Sequence, residues 1–207
     1  MSDLPLLPGT GAGAPPAAPP ERADAARNRA RILAAAERLF AERDPASVTM
    51  DDIAKAAGVG RGTLYRRYPD RAAIARALLD EHERALQEKL LRGAPPLGPG
   101  EPGGPTASPG ERLAAFYAEM AALLEAHLPL ALGAETGAAR YGTGAYGFWR
   151  AHVAHLVREA GLDDPQTLAD QLLAPLAPEL FRHQRELGLS GERIAAGLAE
   201  LARRTLG

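Results

Sequence analysis

Apolar residues recur at three- and four-residue intervals along most of the chain, a pattern that predicts an all-α protein. From residue 25 to 43, Ile32, Ala36, Leu39 and Phe40 share one helical face, while Arg27, Arg29, Arg31 and Arg38 lie mostly off it. Asp70 is placed to cap a helix that runs to about residue 92 through Ile74, Leu78, Leu79, Leu86 and Leu90. Ser108 followed by Pro109 opens another, through Leu113, Phe116, Tyr117, Met120, Leu123, Leu124 and His127. Residues 145–160 gather Phe148, Trp149, His152, His155, Leu156 and Val157. Asp164-Pro165 begins a helix towards Leu187 that Pro175 and Pro178 must kink or locally break, and Ser190 caps a last one to about residue 204. These last segments carry long stripes: Leu168, Leu172, Leu173, Leu176 and Leu180, then Ile194, Leu198 and Leu201. No period repeats along the chain, which argues against a solenoid.

Between residues 48 and 69 the pattern tightens into two short helices. Thr49 is placed to N-cap the first: its hydroxyl can accept from the amide near Asp52 while the Asp52 carboxylate reaches back, a short-armed capping box. Val48 and Ile53 form a hydrophobic staple around that cap, so residues 50–57 read as helix. Ala54, Ala56 and Ala57 are small enough to let a following helix cross closely. Gly58 supplies the left-handed residue that ends the helix without a Cβ clash, and Val59 plugs the junction. The next helix runs from about Arg61 until Pro69, which lacks a backbone donor and disfavours helical geometry in Tyr68.

In this second helix Leu64 is the one aliphatic residue and must face the core, while Arg61, Thr63, Tyr65, Arg66 and Arg67 place donors on the other faces. Arginine can chelate guanine edges or phosphate, threonine can reach a base edge or a thymine methyl, and tyrosine can donate to a phosphate oxygen. Gly62 removes a side chain where a duplex backbone would approach closely. A helical hairpin with merely solvated arginines is the alternative. The coincidence of cap, staple, glycine turn, proline stop and basic face within about twenty residues favours a helix-turn-helix that lays its second helix in the major groove.

The runs Phe40-Ala-Glu-Arg, Thr49-Met-Asp-Asp-Ile-Ala-Lys-Ala-Ala-Gly-Val, Arg61-Gly-Thr-Leu-Tyr and Tyr68-Pro-Asp-Arg resemble the N-terminal domain of the tetracycline-repressor (TetR) family, continuously from about Asn28 to Leu79. Beyond that, the chain resembles the family only in length and all-helical pattern. Two positions depart from it. Gly60 stands where members often carry Ser or Thr at the start of the recognition helix, and Arg66 and Arg67 stand where a His or aromatic is common. The resemblance implies a three-helix DNA-binding head followed by a larger helical ligand-binding and dimerisation domain. On it, Arg61, Gly62 and Thr63 are expected to read base edges, and Thr49, Lys55, Tyr65, Arg66, Tyr68 and Arg71 to hold phosphates. It also implies that the two C-terminal helices pair with their symmetry mates in a homodimer; the alternative is that their stripes close the monomer's own core.

The net charge of −2 is at odds with nucleic-acid binding until it is divided along the chain. Residues 22–77 hold 12 Lys and Arg against 7 Asp and Glu, and the rest of the chain holds 12 against 19. A cationic head on an acidic body is oriented towards phosphate. The organisation expected is a disordered Pro/Gly/Ala-rich tail over 1–21, the helix-turn-helix domain over 22–69, a connecting helix over 70–92, a flexible loop over 93–109 and a helical body over 110–207. Absence of cysteine excludes disulfide frameworks and thiolate metal sites, and no apolar run is long enough to span a bilayer. With no secretion signal at the N-terminus, a cytoplasmic protein is expected.

In the body, Phe116, Tyr117, Met120, Tyr146, Trp149 and His152 form the candidate pocket for a small-molecule effector; ordinary core packing is the alternative. His152 and His155 share a helix face, but two ligands are too few for a metal site, and no metal or cofactor is expected. No nucleophile elbow, catalytic triad order or phosphate-cradling loop can be assembled, so an enzyme is not expected. The function these features support is a ligand-responsive regulator, a repressor released from a pseudo-palindromic double-stranded operator. The alternative is a helical interaction protein that acts on a partner protein and carries a vestigial DNA-binding head.

Overall fold

The computed structural model describes residues 20–43, 47–101, 104, 106–134 and 137–207. The expected tail over 1–21 therefore falls almost wholly outside the described residues. Among those described, helices run α1 (Pro20–Glu42), α2 (Met50–Ala57), α3 (Arg61–Arg67), α4 (Arg71–Arg92), α5 (Pro109–Ala134), α6 (Gly144–Glu159), α7 (Pro165–Leu173), α8 (Pro178–Glu186) and α9 (Gly191–Leu206), and no strand is present. None of these helices is long and apolar enough to cross a membrane.

Local chemistry accounts for most of the boundaries. Asp70, Thr143, Asp164 and Ser190 each accept a backbone N–H three residues on, capping α4, α6, α7 and α9. Ser108 does the same for Glu111, whose carboxylate in turn accepts from the Ser108 amide. The segment expected to kink between 165 and 187 does so where the prolines stand: α7 ends at Leu173, a 3₁₀ turn spans Ala174–Leu176, and α8 restarts with Pro178 in its first turn.

Two apolar clusters organise the packing. The first draws Ile32, Leu33, Ala36 and Leu39 of α1, Ile53 and Ala57 of α2, Leu64 of α3, and Ile74 and Leu78 of α4 around one centre, with Leu130 of α5 added. The second gathers Leu79, Leu86 and Leu90 of α4 with the inner faces of α5, α6, α7, α8 and α9. Helix α4 thus contributes to both. Helix α5 is the axis of the body and packs chiefly against α9 and α4.

The start of α5 and the end of α9 approach closely: Gly110 N–H and Ser108 Oγ both donate to the Gly207 carbonyl, at 3.1 and 2.8 Å. A Cβ at Gly110 would lie 2.2 Å from that oxygen, so only glycine fits. Helix α5 is not regular. Its backbone leaves helical geometry at His127 (φ −131°, ψ 24°), two residues before Pro129, whose ring cannot follow an unperturbed turn.

Candidate nucleic-acid interface

Helix α2 is fixed at both ends. Thr49 Oγ1 accepts from the Asp52 amide at 3.1 Å, and the Asp52 carboxylate accepts from the Thr49 amide at 3.1 Å and from its hydroxyl at 2.7 Å. These hydrogen bonds from Thr49 hold the Asp52 carboxyl below its ordinary range. Val48 and Ile53 are buried in the head's core, as the staple requires. At the other end Gly58 adopts φ 60°, ψ 39°, and its N–H caps the carbonyls of Ala54 and Lys55. A feature the sequence reading missed closes this turn: Arg31 Nη2 donates to the Gly58 carbonyl at 2.9 Å.

Helix α3 then projects outward. Leu64 is its one buried residue, and Arg61, Gly62, Tyr65, Arg66 and Arg67 are exposed, with Thr63 half-buried. A Cβ added at Gly60 or Gly62 would meet nothing within 4 Å, so neither glycine is required by packing within the chain. Gly60 provides no side-chain cap, the local consequence of the missing hydroxyl. Arg61 pairs with Asp51 of α2, and Arg66 Nε donates to the Gly62 carbonyl at 3.2 Å. Lys55 and Thr49 are exposed along the edge of α2, beside this face.

Two expected phosphate ligands are placed differently. Tyr68 is 6% exposed and packs in the head's core, where its backbone N–H closes α3 on Leu64; its ring is a packing element rather than part of the open face. Arg71 is half-buried and donates to the Val48 carbonyl at 3.2 Å, fastening the start of α4 to the entry of α2. The arginines at the start of α1 also have partners within the chain, Arg27 with Asp24 and Arg29 with Glu81 at 2.8 Å. The charge-assisted bond to Arg29 holds the Glu81 carboxyl below its usual range. The net result is a cationic face narrowed to α3 and the edge of α2.

The six residues expected to line an effector pocket are buried or half-buried in the body. Phe116 and Tyr117 are fully buried, and Met120, Tyr146 and Trp149 belong to the same core. The Phe116 ring lies 5.6 Å from Trp149 and 5.5 Å from His152. Tyr117 Oη donates to the Leu172 carbonyl at 2.7 Å, and burial raises its pKa. The His152 imidazole is pushed down to about 4, chiefly by burial and then by Arg112 and His155. Tyr146 borders an open cleft, with Arg140, Arg150 and Asp170 between α6 and α7. Another cleft, of about 460 Å³, lies between α4 and α6 and is lined by Arg76, Leu79, Glu83, Gln87, Ala145 and Phe148. His155 faces Glu159 at 3.5 Å.

A glycine-hinged pair of short helices, the first capped and clamped and the second offering a basic outer face, defines a helix-turn-helix protein. The profile described as bacterial regulatory proteins, tetR family, matches residues 32–78. An uncharacterized HTH-type transcriptional regulator of Mycobacterium tuberculosis is 51% identical over 61 residues, 30% of this chain and 30% of the relative. The HTH-type transcriptional regulator TtgR of Pseudomonas putida is 46% identical over 61 residues, 29% of each chain. Among solved structures, a TetR transcriptional regulator from Rhodococcus sp. RHA1 superposes with a TM-score of 0.58 at 22% identity, covering 91% of this chain and 97% of that one. The fatty acid degradation regulator FadR from Bacillus halodurans does so with a TM-score of 0.61 at 17% identity, covering 87% and 95%. Residues 32–78 thus carry the sequence pattern of the tetR-family regulatory region, and the chain shares the fold of these solved structures.

Proposed function

We propose that this protein is a homodimeric, ligand-responsive regulator of transcription, a cytoplasmic repressor that leaves a pseudo-palindromic operator when a small molecule binds its body. The observation that carries the reading is the outer face of α3, where Arg61, Gly62, Tyr65, Arg66 and Arg67 surround a single buried leucine on a helix held by a capped and clamped neighbour. Arg61 and Thr63, with the open surface at Gly62, read base edges. Lys55, Thr49, Tyr65 and Arg66 engage phosphates. Arg61 exchanges its bond to Asp51 for a base or phosphate contact on docking. Arg71 acts mainly by fixing α4 to the reading hairpin.

Support for pairing of two copies comes from Leu180, Leu187 and Leu201, which stay 39%, 67% and 40% exposed on α8, the turn after it and α9, while Leu172, Leu173, Leu176, Ile194 and Leu198 close the monomer's own core. Two heads on a dimer would meet successive major grooves about 34 Å apart. The α4–α6 cleft is the better effector site, because Leu79 and Glu83 on its wall belong to the helix that joins the two cores. An effector that binds a form with mis-spaced heads then releases DNA by shifting populations. No catalytic or cofactor chemistry is required.

Fluorescence anisotropy with duplexes from upstream of the gene and its neighbours, at several salt concentrations, tests the reading. Expected is binding to one duplex at least about a thousandfold tighter than to random sequence, weakening steeply with salt. Equal affinity for all duplexes, or none, overturns it.

A further inference from the structure

Glu37 of α1, His82 of α4 and His127 of α5 converge where the two cores meet. Each offers one ligand atom, and these atoms all lie within 4.8 Å of one another. The two imidazoles stack with centroids 3.8 Å apart and planes 18° off parallel, and His82 Nε2 lies 3.2 Å from Glu37 Oε1. Despite that distance, His82 Nε2 makes no aligned hydrogen bond, although the atom is buried. The buried nitrogen thus lies beside a carboxylate oxygen but off its hydrogen-bonding line, a polar atom left without a partner. His127 reaches this position at the one residue where α5 abandons helical geometry.

We propose that Glu37, His82 and His127 form a binding site for a divalent first-row transition ion of the Zn²⁺ type, tying α1, α4 and α5 together. Two imidazoles and one carboxylate are a donor set that suits Zn²⁺, Co²⁺, Ni²⁺ or Cu²⁺, and water completes the coordination. Ca²⁺ and Mg²⁺ prefer all-oxygen sites and are excluded by the two nitrogens. Metal–ligand bonds of about 2.0–2.2 Å hold donor atoms roughly 3–3.5 Å apart, so completing the site takes side-chain rotations that draw the three groups in and unstack the near-parallel rings, turning their in-plane lone pairs to one centre. Simple packing of the two imidazoles is the competing account. It explains the stack but gives no role to the carboxylate beside the unpartnered nitrogen. The ion would join the head's first helix to the body.

The test uses the metal-free full chain titrated with Co²⁺, read by its d–d absorption, with Zn²⁺ as competitor. One equivalent should bind with micromolar or better affinity. His82→Gln and His127→Gln should each weaken binding on the order of 100-fold and Glu37→Gln on the order of tenfold, whereas the exposed His155→Gln and His183→Gln should not change it. Thermal melts of the metal-free variants establish that they fold. Should a variant fail to fold, paramagnetically shifted signals from the imidazoles of His82 and His127 in the Co²⁺-loaded wild type decide the matter. Absence of binding, undiminished binding by a folded His82→Gln/His127→Gln double variant, or shifted signals from other histidines overturns the proposal. The measurement requires no DNA, so its failure leaves the regulatory reading intact, and failure of operator binding leaves the ion site intact.

Discussion

Arg31 reaches across from α1 to place its Nη2 2.9 Å from the carbonyl of Gly58, so the supporting helix holds the hinge of the reading hairpin from outside. The same contact fills the space beside the glycine: a Cβ at position 58 would lie 2.5 Å from that nitrogen, on a backbone with φ 60°.

Gly58→Ala is therefore expected to lower stability by about 1–3 kcal/mol, the left-handed backbone and the displaced guanidinium both contributing. Arg31→Ala alone should cost about 1–2 kcal/mol. Because the two changes touch the same contact, the double variant should lose less than the two losses added. Urea unfolding of the four proteins checks this; strict additivity would mean that the clamp does not couple the two residues.

Arg61→Ala should weaken operator binding by roughly 1–3 kcal/mol and relax preference at the base it reads. Asp51→Asn, which frees Arg61 from its ion pair, should strengthen binding to all duplexes and steepen the salt dependence. Arg71→Ala should weaken all sequences alike and also lower the melting temperature, because its bond to the Val48 carbonyl is lost. Anisotropy titrations over a panel of single-base operator variants separate these outcomes.

His152 gives a pH dependence of defined sign. Burial pushes its folded pKa to about 4 from an ordinary 6.5, so between those values the unfolded chain takes up a proton that the folded one refuses. Stability from this group is intact above pH 6.5 and falls as pH drops towards 4, by at most about 3 kcal/mol. In His152→Phe the stability curve should be flatter than wild type across that window. Parallel curves would remove His152 as the cause.

Tyr117→Phe deletes the donor to the Leu172 carbonyl while keeping the ring. A loss of about 1–3 kcal/mol is expected, since the carbonyl then lies buried beside a partner that can no longer donate. Thermal and urea melts of the pair measure it.

The reading hairpin was legible in the sequence because its determinants are local. Thr49 and Asp52 stand three residues apart, Gly58 ends α2, and Pro69 stops α3, each acting through its own backbone. The kink between α7 and α8 was legible for the same reason. What escaped was tertiary. Arg31 and Gly58 are 27 residues apart, and nothing in either neighbourhood distinguishes a clamp from a solvated arginine. Phe116, Tyr117, Met120, Trp149 and His152 have the composition of a pocket and of a core alike, and only packing reveals that they fill the space between α5 and α6. Tyr68 has the chemistry of a phosphate donor, yet its position just past the last turn of α3 turns it inward.

The sharing of α4 between the two cores has a mechanical corollary. Ile74 is fixed in one and Leu86 in the other, twelve residues apart on a single helix, a span of about 18 Å at 1.5 Å per residue. A tilt of about 5° pivoting at one end displaces the other by roughly 1.6 Å over that length. The helix is in effect a lever, and a disturbance too slight to unpack the body would swing the reading hairpin by more than half the length of a hydrogen bond.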